Sequence, residues 1–350
     1  MEKKNVIVIG ASAGGLEVLK RLFSGLYEGI AAAVFIVWHI PPDVLGILPQ
    51  VLSKHSTMPI AHAVDNEPIV FNRVYVAPPD RHTMIERGRV RLIRGPKENR
   101  FRPAIDPLFR SAAYSYGSRV IGIVLSGALD DGTVGLWTIK QFGGTSIVQD
   151  PQESEARGMP ESALRSVKVD YKVTVREMIE VLKRLVLEPA TENHEPGIKQ
   201  REKTGSELKI SMMEEQEVKK PMGELTPYTC PECHGVLGVM KDGDLVRFRC
   251  HTGHAFSADT LLSILTDNIE GSIWNAIRGI EECVFLLNSV GDNYAVKNDP
   301  KNASLYFKKA KEMEARAKYL RQAIVGNEQL TKRKIEGADS IQDKNITRHN

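Results

Sequence analysis

Residues 5–15 read Asn-Val-Ile-Val-Ile-Gly-Ala-Ser-Ala-Gly-Gly. A short apolar run stops at a glycine-rich bend that carries Ser12. An amphipathic stretch follows, with Leu16, Leu19, Leu22, Phe23 and Leu26 spaced for one helical face. This is strand, tight turn, helix, the opening unit of an α/β sheet. It constrains chemistry as well as fold. Backbone N–H groups at a helix N-terminus can hold a phosphate. They can equally stabilise the oxyanion of an acyl transfer in which the serine is the nucleophile.

The alternation continues to residue 186. Candidate strands are Asn5–Ile9, Ala33–Trp38, Arg73–Ala77, Val90–Ile93, Val120–Leu125 and Thr145–Gln149, with helical patterns at Val44–Ser53, Pro107–Tyr116, Gly132–Gln141 and Val175–Val186. Repeated βα units predict an α/β domain over residues 1–187, a doubly wound, largely parallel sheet with helices on both faces. A chain of 350 residues has room for more. From Glu188 to Thr226 aromatics vanish and Glu, Lys, Gln, Ser and Pro dominate, which predicts a polar linker over 188–227. Tyr228–Asp259 holds three of the four cysteines in a compact unit. Two apolar stripes follow, Trp274, Ile277, Ile280, Val284 and Leu287, then Tyr306, Ala310, Met313, Ala317 and Leu320. With the Val290–Pro300 break between them they predict a helical hairpin over 260–327. The polar residues 328–350 are expected to be disordered.

Composition closes off several classes of function. Forty-seven basic against 44 acidic residues leave a net charge of +3 with no basic cluster, which argues against nucleic acid as a partner. No apolar run approaches membrane-spanning length, and the apolar stretch before Gly10 is too short for a signal peptide. A cytoplasmic protein without membrane insertion is expected, and clustered cysteines suit metal binding better than a disulfide framework.

Three chemically active side chains fall at three predicted strand ends. Ser12 follows the first strand, His39 follows Val34–Trp38, and Asp130-Asp131-Gly132 follows Val120–Leu125. The carboxyl ends of parallel strands share one rim, where open α/β sheets place their sites. A hydroxyl, an imidazole and a carboxylate there can run nucleophilic acyl transfer. The order Ser, His, Asp differs from the Ser, Asp, His of nucleophile-elbow hydrolases. Each residue also has an ordinary reading: Ser12 as a helix cap, His39 as a satisfied strand-end histidine, Asp131 as a turn residue. A dinucleotide site fits less well, because Ser12 stands where the second glycine of the fingerprint belongs and the second strand ends in His39, not in an acid.

Six ordered motifs resemble the catalytic domain of the CheB protein-glutamate methylesterases: Ile9–Gly15, His39-Ile-Pro-Pro42, Val76-Ala-Pro-Pro-Asp80-Arg-His82, Arg102-Pro-Ala-Ile-Asp106, Leu125–Gly132, and Gln149-Asp-Pro with Gly158-Met-Pro160. The resemblance spans about residues 4–187. It implies a cytoplasmic hydrolase that removes methyl groups from glutamates of chemoreceptors as methanol, with glutamine deamidation in some members and no cofactor for catalysis. It assigns Ser12 as nucleophile, His39 as base then acid, and Asp131 as the orienting carboxylate. Backbone amides near Ala13 and Ala128 become oxyanion donors, and Arg102 positions substrate or braces its loop. Two departures stand out. Leu129 replaces a glycine of the aspartate loop, and the catalytic domain begins at residue 4 without the family's usual receiver domain. A catalytically weak adaptor, working through its C-terminal unit on a signalling partner, is the alternative.

Cys230-Pro-Glu-Cys233 and Cys250-His-Thr-Gly-His254 form two knuckles around a hairpin signal, Lys-Asp-Gly-Asp. This is a zinc-ribbon-like layout for a structural Zn²⁺ held by Cys230, Cys233, Cys250 and His254, with His251 and His234 as alternatives for the fourth ligand.

Overall fold

The computed structural model describes residues 3–26, 30–39, 46–190, 196–213 and 222–325. Residues 1–260 form one compact unit and Leu261 onward a second. Along the chain run β1 (Val6–Ala11), α1 (Gly15–Gly25), β2 (Ala33–Trp38), α2 (Leu48–Leu52), β3 (Ile60–His62), β4 (Arg73–Val76), β5 (His82–Glu86), β6 (Arg89–Ile93), α3 (Ile105–Tyr116), β7 (Val120–Val124), α4 (Thr133–Gln141), β8 (Thr145–Gln149), α5 (Gly158–Ser166), β9 (Tyr171–Val173) and α6 (Val175–Leu185). Then come α7 (Ile198–Ser211), β10 (Glu224–Thr229), β11 (Val236–Asp242), β12 (Leu245–Cys250), β13 (Ala255–Ser257), α8 (Ala258–Val296) and α9 (Pro300–Val325).

Seven parallel strands make the main sheet in the order β3-β4-β2-β1-β7-β8-β9. β1, β2 and β7 are apolar almost throughout because both faces of the sheet are covered. Ile7 and Ile9 pack with Leu19, Leu22 and Phe23 of α1 and with Met178 and Leu182 of α6. Val6 and Val8 point the other way, into Leu108, Phe109 and Ala112 of α3 and Leu136 and Ile139 of α4. The chain leaves β1 toward β2 on one side and returns as β7 on the other. The β1–β7 boundary is therefore the switch point, where the carboxyl ends open a crevice.

The doubly wound sheet agrees with expectation, with local differences. Val90–Ile93 is not a strand of the main sheet but half of the antiparallel β5–β6 hairpin. The short edge strands β3 and β9, and the helix α5, carry too little apolar periodicity to be read from the sequence. The helix expected over Val44–Ser53 is confined to Leu48–Leu52, and residues 44 and 45 lie outside the described residues. So does the tail expected to be disordered.

The largest correction concerns residues 188–227. This stretch contains the fourteen-residue helix α7, whose Thr204, Glu207, Leu208 and Ser211 are buried. The sheet β10-β11-β12-β13 belongs to the same unit as the catalytic half. Its central hairpin closes over Gly243-Asp244, with Asp242 opposite Leu245. Charge, not apolar surface, fastens these parts. Glu98 receives Arg110 at 2.7 Å, Arg249 at 3.2 Å and the Ser211 hydroxyl at 2.8 Å. Arg247 grips Glu207 with two hydrogen bonds of 2.9 and 2.8 Å and also donates to Asp242. None of these six charged side chains is more than 4% exposed. Three guanidinium groups balance three carboxylates across α3, α7, β11, β12 and the segment before Phe101. Each charge is tolerable in the interior because the others neutralise it.

The second unit is a hairpin of α8 and α9. α8 runs on through Gly291, expected to lie in the break, to Val296. A Cβ at Gly291 would come within 2.6 Å of the Phe307 ring, so this glycine admits a neighbour and does not end the helix. The turn comes at Asn298, in the left-handed conformation (φ 57°), with Pro300 opening α9. Tyr294 stacks on Tyr306 at 5.4 Å, and Arg321 pairs with Glu281.

Removing one member of the buried charge cluster strands its partners. Glu207→Ala is expected to destabilise the first unit by about 3–5 kcal/mol, read from urea unfolding. The cluster also fixes the acid limit. Burial opposes ionisation of Glu207, but Arg247 and Arg110 outweigh it and hold the carboxyl at about 2, against an ordinary 4.5. A carboxylate lowered in the folded state stabilises fully above its unfolded value and loses that contribution as it is protonated. Stability should fall as pH drops from about 4.5 toward 2, and Glu207→Gln should flatten that slope in acid unfolding curves.

Candidate active site

β1 delivers Ser12 and β2 delivers His39 as lateral neighbours. Ala11 pairs with Trp38, the His39 N–H donates to Ala11 O at 3.1 Å, and the Trp38 indole donates to Ser12 O at 3.0 Å. The turn after Ser12 requires Gly14. Its φ of 71° is left-handed, and a Cβ there would meet Glu155 at 2.6 Å and the Ser126 hydroxyl at 2.8 Å. β7 brings the third residue. His39 Nε2 lies 2.8 Å from Asp131 Oδ2, and both side chains are 2% exposed. The expected trio thus shares the rim beside the switch point.

Asp131 occupies an unusually rich field of donors. Its Oδ2 also accepts from Ile105 N–H at 2.7 Å. Its Oδ1 accepts from the Asn99 amide at 3.0 Å, Gly132 N–H at 3.0 Å and Asp106 N–H at 3.4 Å. Ile105 and Asp106 open α3, and Gly132 caps α4, so the carboxylate sits at two helix N-termini, where the dipoles favour negative charge. Burial alone would raise its proton affinity. The hydrogen bond and charge of His39, the Ile105 N–H and the Asn99 amide prevail and hold it below the ordinary carboxylate range. Asp106 shows the converse: burial, then the nearby Asp131 charge, push it well above that range. Ionising both carboxyls of this buried pair is costly, so their proton affinities are pushed apart. Burial likewise pushes Asp130 up to about 6.

His39 is clamped on its flat side as well. The Phe101 ring stacks on the imidazole at 3.7 Å with planes 7° apart. With Nε2 committed to Asp131, Nδ1 is buried and has no hydrogen-bond partner among the described residues. The Ser12 hydroxyl also makes no hydrogen bond among them. The rim therefore holds one open acceptor and one open donor. Among the described residues the Ala13 and Ala128 amides have no acceptor either, whereas the Gly127 N–H is spent on Ala156 O at 3.0 Å.

The loop before α3 emerges as part of the site. Arg102 is buried and donates to Asp80 Oδ1 at 2.7 Å and to Gly95 O at 2.8 Å, contacts that brace its loop. His82 donates to Pro96 O at 2.9 Å and accepts from Ala104 N–H at 3.2 Å. Asp80 and His82 thus tie down the segment that presents Asn99 and Phe101. Neither of those two was read from the sequence. Leu129 takes a φ of 60°, the conformation a glycine would adopt, so the substitution preserves the loop at the cost of local strain.

In the C-terminal sheet, the ligand atoms of Cys230, Cys233, Cys250 and His254 all lie within 4.8 Å of one another. Cys233 and Cys250 sulfurs are 3.6 Å apart, and His254 Nδ1 is 3.5 Å from Cys250 Sγ and 3.7 Å from Cys230 Sγ. A tetrahedral Zn²⁺ with its usual bond lengths needs edges of about 3.6–3.8 Å, so the donor set fits. His234 and His251 are not in the cluster.

A doubly wound sheet with a serine, an oriented imidazole and a buried carboxylate on one rim defines a serine-hydrolase type of site. The profile of the CheB methylesterase family matches residues 7–182, and the chain belongs to that family. A Leptospira interrogans protein provisionally named protein-glutamate methylesterase/protein-glutamine glutaminase is 38% identical over 180 residues, 51% of this chain and 93% of that protein. A protein-glutamate methylesterase/protein-glutamine glutaminase of Anaeromyxobacter dehalogenans is 36% identical over 180 residues, 51% of this chain and 53% of its own. The crystal structure of the Thermotoga maritima CheB methylesterase catalytic domain superposes with a TM-score of 0.50 at 33% identity, covering 52% of this chain and 98% of that one. Residues 183–350 lie outside the family profile.

The metal cluster yields a direct test. The purified chain should carry one equivalent of zinc by elemental analysis, and Cys250→Ser should lose it along with the cooperative unfolding of the small sheet.

Proposed function

We propose that this chain hydrolyses glutamate methyl esters on receptor proteins, releasing methanol, with Ser12, His39 and Asp131 as its catalytic residues. The observation that carries this reading is the His39–Asp131 pair, which leaves Nδ1 as an open acceptor beside the Ser12 turn. His39 Nδ1 takes the Ser12 proton as Oγ attacks the ester carbonyl carbon. The Ala13 and Ala128 amides receive the developing oxyanion. Collapse of the tetrahedral intermediate expels methoxide, which leaves as methanol with the proton from His39. Water, deprotonated by the same imidazole, then frees the glutamate from the serine ester. Asp131 keeps its charge throughout and stabilises the imidazolium. A glutamine amide enters the same cycle with ammonia as leaving group, as the names of the relatives suggest.

The likeness to the family and the fit of the donor set support a hydrolase with no catalytic cofactor and a structural Zn²⁺ on Cys230, Cys233, Cys250 and His254. Among the described residues no helix is long and apolar enough to cross a membrane. The adaptor reading is weakened on one of its two grounds, because Leu129 keeps a glycine-like backbone conformation.

Methanol release from methylated receptor should fall at least about 10³-fold in Ser12→Ala and about 10⁴-fold in Asp131→Asn, which leaves the imidazole in the wrong tautomer. Equal activity of wild type and Ser12→Ala would refute the assignment.

A further inference from the structure

The Cys/His sheet is joined to the active site by more than the charge cluster. Its last strand, β13, runs beside residues 97–99. The Ala255 N–H donates to Lys97 O at 3.2 Å, and the Asn99 N–H donates to Ala255 O at 2.8 Å. Glu98 and Ala255 form a parallel bridge. The Ser257 N–H donates to Asn99 Oδ1 at 2.9 Å, while the Asn99 amide nitrogen donates to Asp131 Oδ1 at 3.0 Å. Asn99 is therefore a single side chain with its acceptor on the C-terminal sheet and its donor on the triad carboxylate, with a second, longer donation of 3.3 Å to Asp106 Oδ2. Its backbone, at a φ of 50°, is left-handed, a conformation that asparagine and aspartate tolerate better than most residues. A second link runs through the neighbouring residue. Ser257 Oγ and Thr260 Oγ1 donate to Asp130 Oδ1 at 2.7 and 2.9 Å. Two residues beyond Asn99, Phe101 lies flat on His39. On the other side, His254 and Cys250, two of the four metal-type ligands, flank the start of β13.

We propose that Asn99 is a positioning residue for Asp131, and that β13 sets it, so that the metal state of the Cys/His sheet governs the geometry of the triad. The proposal rests on the triad reading above. Metal at Cys230, Cys233, Cys250 and His254 fixes the knuckle from which β13 departs. β13 fixes the backbone of 97–99 and the orientation of the Asn99 amide. Asn99, with Asp130 held from the end of β13 and the first turn of α8, fixes the Asp131 carboxylate and hence the His39 ring. The structure thus makes the C-terminal sheet a wall of the active-site support, present in the same chain as the catalyst.

Asn99→Asp separates the two ends of the bridge. The aspartate keeps the acceptor for Ser257 N–H and suits the left-handed backbone, but it presents no donor to Asp131. In the full chain this variant should retain zinc, melt at a lower temperature because it adds a buried carboxyl beside Asp131 and Asp106, leave KM within about twofold, and lower kcat about 10²-fold, as expected for a misplaced catalytic group. The second measurement needs no turnover. Zinc is stripped from the wild-type chain with a chelator under reducing conditions, and amide hydrogen exchange is followed. Residues 97–101 and 128–133 should exchange faster, β1 should not, and added Zn²⁺ should restore both protection and kcat. Wild-type kcat in Asn99→Asp, a chain that binds no zinc, or unchanged exchange in those two segments would overturn the proposal. Should Asn99→Asp lose its metal and unfold, the exchange comparison on the wild-type chain decides. Full activity in Ser12→Ala would sink the methylesterase mechanism while leaving the exchange result to speak for the coupling.

Discussion

A buried carboxylate that must stay ionised organises the active half of this molecule. Asp131 lies in the interior, where a charge is costly unless donors surround it. Five N–H groups do so, from His39, Ile105, Asp106, Asn99 and Gly132. Each demands something of the fold. Ile105 and Asp106 require α3 to begin beneath the β7 end, Gly132 requires a left-handed cap on α4, and Asn99 requires the preceding loop to fold back. His39 receives its orientation as one more consequence of satisfying that charge. The neighbour Asp106, whose ionisation is disfavoured by burial and by the Asp131 charge, completes the arrangement, because two adjacent buried carboxylates cannot both ionise cheaply.

The same logic runs through the rest of the first unit. Glu98, Glu207 and Asp242 against Arg110, Arg247 and Arg249 join a helix that looks solvated, a sheet that looks separate, and the catalytic half. Such clusters contribute little net stability over an apolar core of equal volume. They specify geometry instead, since a guanidinium fork accepts its carboxylate in few orientations. Docking by charge places residues 97–99 beside β13 in one register.

The legible and illegible parts of the sequence divide along this line. Apolar runs and glycine turns declared the doubly wound sheet and the three strand-end side chains. Two knuckles of cysteine and histidine declared the metal cluster down to His254. What escaped was whatever depends on polar groups turned inward. α7 has Leu208 as its one buried large apolar residue, so no hydrophobic stripe announced it. Asn99 and Phe101 stand in a loop without periodicity, and their roles come from partners far away along the chain. Arg102 could be read either way from its motif, and its bracing contacts with Asp80 and Gly95 come from partners the motif does not reveal. Gly291 looked like a breaker because sequence does not show that a ring needs the space.

The bridge between Glu98 and Ala255 spans most of the first unit's sequence. Synthesis runs from the N-terminus, and the sheet strands β1, β2 and β7 are complete long before β13 leaves the ribosome. The loop carrying Asn99 and Phe101 must then wait for its outer neighbour, the last strand of the unit to be made. On the proposed role of Asn99, the support of the aspartate is complete only once translation has passed residue 260. A nascent or truncated chain would hold its serine and histidine in place while lacking the strand that squares the aspartate to them.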